Sequence, residues 1–273
     1  MKIISSFIFI ILFALCASGK ERTYIGSTPA HPVVRSFLGI PMADSIDFIK
    51  WKLIIRDNKY SLQCRYGIGK PNTDDFISGG KTIELTSDLR KEKNYYYLQN
   101  GNKTLKALEL NANLLHLLND DNSLLVGNGG WSYTLNIDKP SDTDRVNIFS
   151  KQILLKDSMS FQGRTPCHDF PEIHAGLNCI KKKWLVVLYA DSKTNQPMAY
   201  NLNGNSRGKG GIKGNWKIIT GKDGRIIYQL YSDKENASIY LLKLDDNILV
   251  FTDEQGKLLV GDKDFSFTLN RRW

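Results

Sequence analysis

Leu108 to Asn136 reads LELNANLLHLLNDDNSLLVGNGGWSYTLN, and Leu242 to Asn270 reads LKLDDNILVFTDEQGKLLVGDKDFSFTLN. The two align without a gap at a constant offset of 134, and about twelve of the 29 positions are identical. Leu124-Leu125-Val126-Gly127 answers Leu258-Leu259-Val260-Gly261, and both segments end on an aromatic, Ser, an aromatic and Thr-Leu-Asn. So long a gapless match means one domain written twice. Upstream, Trp51-Lys52-Leu53-Ile54-Ile55 answers Trp184-Leu185-Val186-Val187-Leu188, and Ser36-Phe37-x-Gly39-x-Pro41 is matched to Ser160-Phe161-x-Gly163-x-x-Pro166.

Within each copy, short apolar or alternating runs are separated by turn residues. In Lys59 to Tyr66 the residues Tyr60, Leu62, Cys64 and Tyr66 fall on one face of a strand, with the polar set opposite. Trp216–Thr220, Ile226–Leu230, Ile239–Leu244 and Ile248–Thr252 read as further strands. Gly221-Lys222-Asp223-Gly224, Asp245-Asp246-Asn247 and Asp253-Glu254-Gln255-Gly256 supply the turns between them. Leu105 to Leu118 is dense in leucine and has some helical character, but its counterpart Tyr240 to Phe251 is split by a turn, so both are read as hairpins. The expectation is an all-β chain of two tandem small antiparallel β-barrels, meanders closed so that no long edge stays exposed. The first is placed at residues 30–138 and the second at 146–273. A polar linker, Asp138 to Asp144, lies between them, and Val146 to Lys156 is a candidate extra strand.

Met1 and Lys2 precede an apolar run, Ile3 to Cys16, which ends in Ala17-Ser18-Gly19 and then charged residues. Residues 1–19 therefore read as a signal peptide, the run being shorter than the roughly 20 apolar residues that span a bilayer. Cleavage after Gly19 and lipidation at Cys16, which follows Leu15, both remain open. The expected location is the periplasm or outer membrane, with a lipid anchor as one option. The formal charge of +9 comes from 37 Lys and Arg interspersed with 28 Asp and Glu, which suits a solvated surface rather than a nucleic-acid footprint.

Export leaves Cys64, Cys167 and Cys179. In an oxidising compartment Cys167 and Cys179 are expected to pair, leaving Cys64 as a buried, inert thiol in its strand. The competing reading takes Cys167, His168, His174 and Cys179 as a metal site, since sulfur and imidazole suit Cu(I) or Zn. His31 and His116 have no recognisable companions. The basic glycine-rich stretch Gly204–Gly214 lacks a P-loop ending and reads as a hairpin loop. The recurring pairs Trp131/Phe265 and Tyr133/Phe267 point to packing, with a ligand platform as the alternative. No catalytic motif is recognisable, the Asp pairs at 120–121 and 245–246 sit in turns, and neither catalytic residues nor a cofactor is expected.

Phe161, Gly163, Pro166 and Cys167, followed by Trp184, Gly214, Trp216 and then Leu249, Asp253 and Gly256, resemble the N-terminal domain of the NlpE family. These are outer-membrane lipoproteins associated with copper resistance and with sensing envelope or adhesion stress. In the first copy, Pro41-Met42-Ala43-Asp44 is similar to the family's Pro-Cys-Ala-Asp with the cysteine replaced. The family's Cys-x-x-Cys is incomplete, because Phe170 stands at the second cysteine position. The resemblance implies a small lipocalin-like barrel and a non-enzymatic envelope protein that meets another envelope protein. The alternative is a lipocalin-like carrier of a small hydrophobic ligand.

Overall fold

The computed structural model describes residues 21–143, 145–167, 179–204, 211–221, 223–232 and 237–273. Residues 1–20, which include the expected signal peptide and Cys16, lie outside the described residues. The chain forms two closed antiparallel barrels of eight strands each. The first comprises β1 (Arg22–Thr28), β2 (Phe48–Arg56), β3 (Lys59–Gly67), β4 (Lys81–Glu92), β5 (Tyr95–Asn100), β6 (Lys103–Asn111), β7 (Leu114–Leu117) and β8 (Thr134–Ile137). The second comprises β9 (Ser158–Thr165), β10 (Lys182–Asp191), β11 (Gln196–Asn203), β12 (Ile212–Thr220), β13 (Ile226–Ser232), β14 (Ala237–Lys243), β15 (Ile248–Thr252) and β16 (Thr268–Arg271). In each, every strand pairs with the next and the last closes on the first, β8 on β1 and β16 on β9.

Alternation sets the inward face. In β3, buried Tyr60, Leu62, Cys64 and Tyr66 alternate with outward residues. All eight strands of the first barrel send buried apolar side chains into one core, among them Tyr24, Trp51, Leu98, Leu105, Leu117 and Leu135. The second barrel has its own core, with Phe161, Trp184, Trp216, Tyr228, Phe251 and Leu269.

The register places Trp51 opposite Gly26 and Trp184 opposite Gly163. Each buried indole donates its N–H to a threonine hydroxyl at 2.8 Å, Trp51 to Thr28 and Trp184 to Thr165. The true common opening is therefore Tyr24-x-Gly26-x-Thr28-Pro29 against Phe161-x-Gly163-x-Thr165-Pro166. Two expectations are corrected by this. The first barrel begins at Arg22, ahead of residue 30, and Ser36 to Gly39 is not the counterpart of Ser160 to Gly163. Ser36 and Phe37 lie instead in a short helix, α1 (Pro32–Leu38), which buries Val34, Phe37 and Leu38 in the first barrel's core. His31 caps it through Nδ1, which accepts from the Val33 amide at 3.3 Å, proline opens its first turn, and Gly39 ends it at φ 71°.

Val146 to Lys156 forms no strand. The Asn147 amide donates to the Leu110 carbonyl at 2.7 Å, and Val146, Ile148 and Phe149 pack between the barrels. Residues 146–149 are thus committed to the junction, where the backbone finds partners outside a ladder, while Ile153 and Leu155 pack in the second barrel's core as part of that copy.

Candidate functional site

The barrels meet through the repeated segment itself. Leu108, Leu110, Leu114, Leu118 and Leu124 of the first pack against Ile227, Leu242, Leu244, Ile248, Val250 and Leu258 of the second. Polar residues meet their own counterparts at an offset of 134. The hydroxyls of Ser132 and Ser266 are 2.6 Å apart, and Thr268 Oγ1 donates to Thr134 Oγ1 at 3.0 Å. Asn270 Oδ1 accepts from the Gly127 amide at 2.7 Å, and reciprocally Asn136 Oδ1 accepts from the Gly261 amide at 2.9 Å. This is isologous pairing, the geometry of a symmetric homodimer within a single chain.

Beside that axis, aromatic and charged residues from both barrels form a seam. Phe76, Phe48 and Trp131 stack in order, with ring centres 4.3 and 4.5 Å apart, and the Arg164 guanidinium lies 5.3 Å over Trp131. Lys181 lies 5.8 Å from the ring centre of Phe265, the counterpart of Trp131. Lys50 pairs with Asp264 at 2.7 Å, and Asp74 lies 3.7 Å from both Lys50 and Lys263. A hydrogen bond with Asp264 holds the Asp74 carboxyl below its ordinary range, while burial holds Asp264 above it.

Among the described residues the two halves of the seam differ in what faces the equivalent lysines. Because Trp51 and Trp184 are equivalent, Lys50 and Lys183 are equivalent, and Asp264 is equivalent to Gly130. Lys50 therefore meets a carboxylate, whereas Lys183 lies opposite Arg164 in the β9–β10 register, with Gly130 where the carboxylate would stand. A Cβ on Gly130 would lie 3.6 Å from Arg164 Nη1. Burial lowers the pKa of Arg164, and lowers that of Lys181 with help from Arg164 and Lys183, against a weaker pull from Asp74. Five cations, Lys50, Arg164, Lys181, Lys183 and Lys263, thus gather around two carboxylates, Asp74 and Asp264.

Comparison with protein-family models, curated proteins and solved structures returns no match to this chain.

The residues singled out in the sequence take these places. Cys167 and Cys179 are bonded to each other, with Cα atoms 6.0 Å apart, and Cys64 is a free, buried thiol whose pKa burial raises. The bond occupies both sulfurs as a disulfide, so the four-ligand thiolate set is not assembled; His168 and His174 lie outside the described residues. Among the described residues no group of three or more His, Cys, Asp or Glu could hold a metal ion. Trp131 and Phe265 belong to the seam, while Tyr133 and Phe267 are core residues. Asp245 Oδ1 accepts the amides of Asn247 and Ile248 at 2.8 Å, and Asp253 Oδ1 accepts those of Gln255 and Lys257, so both aspartates build turns. Of the glycine-rich stretch, residues 205–210 lie outside the described residues, and a Cβ on Gly214 would overlap the Tyr231 carbonyl oxygen. Gly214 is there for strand packing.

His116 is fully buried near the axis. Its Nε2–H donates to the Leu125 carbonyl at 2.9 Å, a tautomer set by that acceptor, and its Nδ1 accepts from the Thr134 hydroxyl at 2.9 Å. The Arg164, Lys181 and Lys183 cluster escaped the sequence reading. Its traces were the run Lys181-Lys182-Lys183 and the mismatch of Gly130 against Asp264 in the aligned copies.

Proposed function

We propose that this chain is a non-enzymatic cell-envelope protein, exported to the periplasm or outer membrane, that works as a binding or sensing module of the NlpE-like kind. The observation that carries the reading is the filling of both barrels by their own side chains. Inward residues of every strand pack into one apolar core per barrel, which favours an outer interaction surface over a carrier's interior. Clefts of about 350 and 570 Å³ among the described residues open to the surface rather than enclosing a barrel's interior. One lies beside the apolar packing between the barrels, near Ile219 and Tyr240, and the other lies at the rim of the first barrel, where core residue Tyr66 meets Ile77. The exported-type N-terminus and the Cys167–Cys179 bond fit an oxidising envelope.

Titration of the purified mature chain with an apolar fluorescent probe, together with fractionation of the producing cells, tests this. The expected result is no saturable uptake of the probe and recovery of the chain in the envelope fraction. Stoichiometric uptake, one probe per barrel, would turn the reading to a carrier, and recovery in the cytoplasm would end it.

A further inference from the structure

The seam carries positive charge that the fold does not reward. Arg164 and Lys183 stand directly opposite each other on neighbouring strands, an arrangement of like charges that destabilises a sheet pair. Lys181, two residues before Lys183, adds a third cation. None of the three forms an ion pair with an acidic side chain among the described residues, and Asp74 is the one carboxylate whose field reaches Lys181. The pseudosymmetric half shows how the fold treats the same position when it needs no ligand: there Asp264 accepts from Lys50 at 2.7 Å. On this side the chain has Gly130, where an added Cβ would lie 3.1 Å from Asn128 Oδ1 and 3.6 Å from Arg164 Nη1, so that no carboxylate stands beside the guanidinium. Asn128 Oδ1, accepting the amides of Gly130 and Trp131 at 2.9 and 3.1 Å, fixes that loop without adding charge. Trp131, held by its stack with Phe48, braces the guanidinium from the other side.

We propose that the inter-barrel seam is an oxyanion site in which a phosphate group sits at the Gly130 position, held by Arg164 with Lys183 and Lys181. Arginine supplies a planar fork for two phosphate oxygens, and the lysines supply point charge. A junction between two domains is a common place for such a site. A free phosphate and a phospholipid headgroup present the same chemistry, and the experiment separates them. The inference does not depend on where the protein resides.

The full mature chain is titrated with inorganic phosphate by calorimetry, and is sedimented with phosphatidylglycerol vesicles and with phosphatidylcholine vesicles, all at about 0.15 M salt so that exposed charges are screened. Three variants change the net charge by the same amount. Arg164→Gln removes the fork, Gly130→Asp installs the carboxylate of the other half, and Lys193→Gln alters an exposed turn of the second barrel. Phosphate binding by the parent and by Lys193→Gln, at least tenfold weaker in Arg164→Gln and Gly130→Asp, supports the site with a free ligand. The same pattern with phosphatidylglycerol vesicles alone supports it with a headgroup. If neither probe binds, or if Lys193→Gln weakens binding as much as the other two, the proposal is overturned. Gly130→Asp pairs Arg164 internally, so it remains informative should Arg164→Gln fold poorly.

Discussion

Burial leaves His116 neutral, its pKa drawn down to about 4 by desolvation and only partly restored by its bond to the Leu125 carbonyl. In the unfolded chain the same imidazole titrates near 6.5, so between those values the unfolded state binds the extra proton. Its contribution is fully present above pH 6.5 and is lost as pH falls toward 4, by about 3 kcal/mol in all. Urea midpoints at pH 7.5 and 4.5 should show that loss, and His116→Val, which copies Val250 at the equivalent position, should remove this part of the slope while lowering stability at neutral pH. A second contrast concerns one tyrosine written twice. Tyr96 and Tyr228 are equivalent in register. The Tyr96 hydroxyl, however, sits among Lys91 at 2.8 Å, Glu109 at 3.3 Å and Arg22 at 3.4 Å, whereas the buried Tyr228 hydroxyl has no hydrogen-bond partner among the described residues. Tyr96→Phe should cost about 1 kcal/mol, and Tyr228→Phe should be neutral or stabilising by a similar amount, because it removes an unsatisfied polar atom. Equal losses in the two would contradict the assignment.

At the scale of elements, the turn between β7 and β8 and its counterpart between β15 and β16 depend on the absence of a side chain. A Cβ on Gly127 would overlap the Trp131 carbonyl oxygen, and one on Gly261 the Phe265 carbonyl oxygen. Gly127→Ala and Gly261→Ala should therefore each destabilise by about 2 kcal/mol or more, since backbone rather than a flexible side chain must yield. Gly39→Ala tests a different cause: the space there is open, but φ is 71°, so the expected loss is nearer 1 kcal/mol. Thermal melts of the three variants distinguish steric overlap from backbone strain. The Cys167–Cys179 bond closes a thirteen-residue loop, and its reduction should lower the stability of the molecule by about 3 kcal/mol.

At the scale of the whole molecule, the continuous apolar packing between the barrels makes them one cooperative unit, and a single calorimetric transition is expected. Leu244, 3% exposed, lies in that packing. Leu244→Lys would place an ammonium in that apolar packing and should split the transition in two. A variant that still melts in one step would mean that this apolar packing is not what couples the barrels. The same packing explains why Leu105 to Leu118 was hard to read. One face of β6 and β7 enters the barrel core, through Leu105, Ala107, Leu115 and Leu117, while the other enters the apolar packing between the barrels, through Leu108, Leu110, Leu114 and Leu118. A strand buried on both faces loses its alternation.

From residue types alone, the repeat, the all-β class, the equivalence of Trp51 with Trp184, the closing hairpins and the Cys167–Cys179 pairing were legible, because each rests on local pattern, chain spacing or the identity of two aligned segments. The start of the first barrel at Arg22, helix α1 and the role of residues 146–149 were not legible, since they depend on which backbone groups find partners across the fold. The seam belongs to the same class. Gly130 facing Arg164 has meaning only once two barrels are folded and packed about their common axis, because charge complementarity is a property of residues brought together from far apart in the chain. The repeat determined that two like domains exist; the tertiary structure decided that they pair through their own repeated segment and, among the described residues, left one half of the junction with cations in excess.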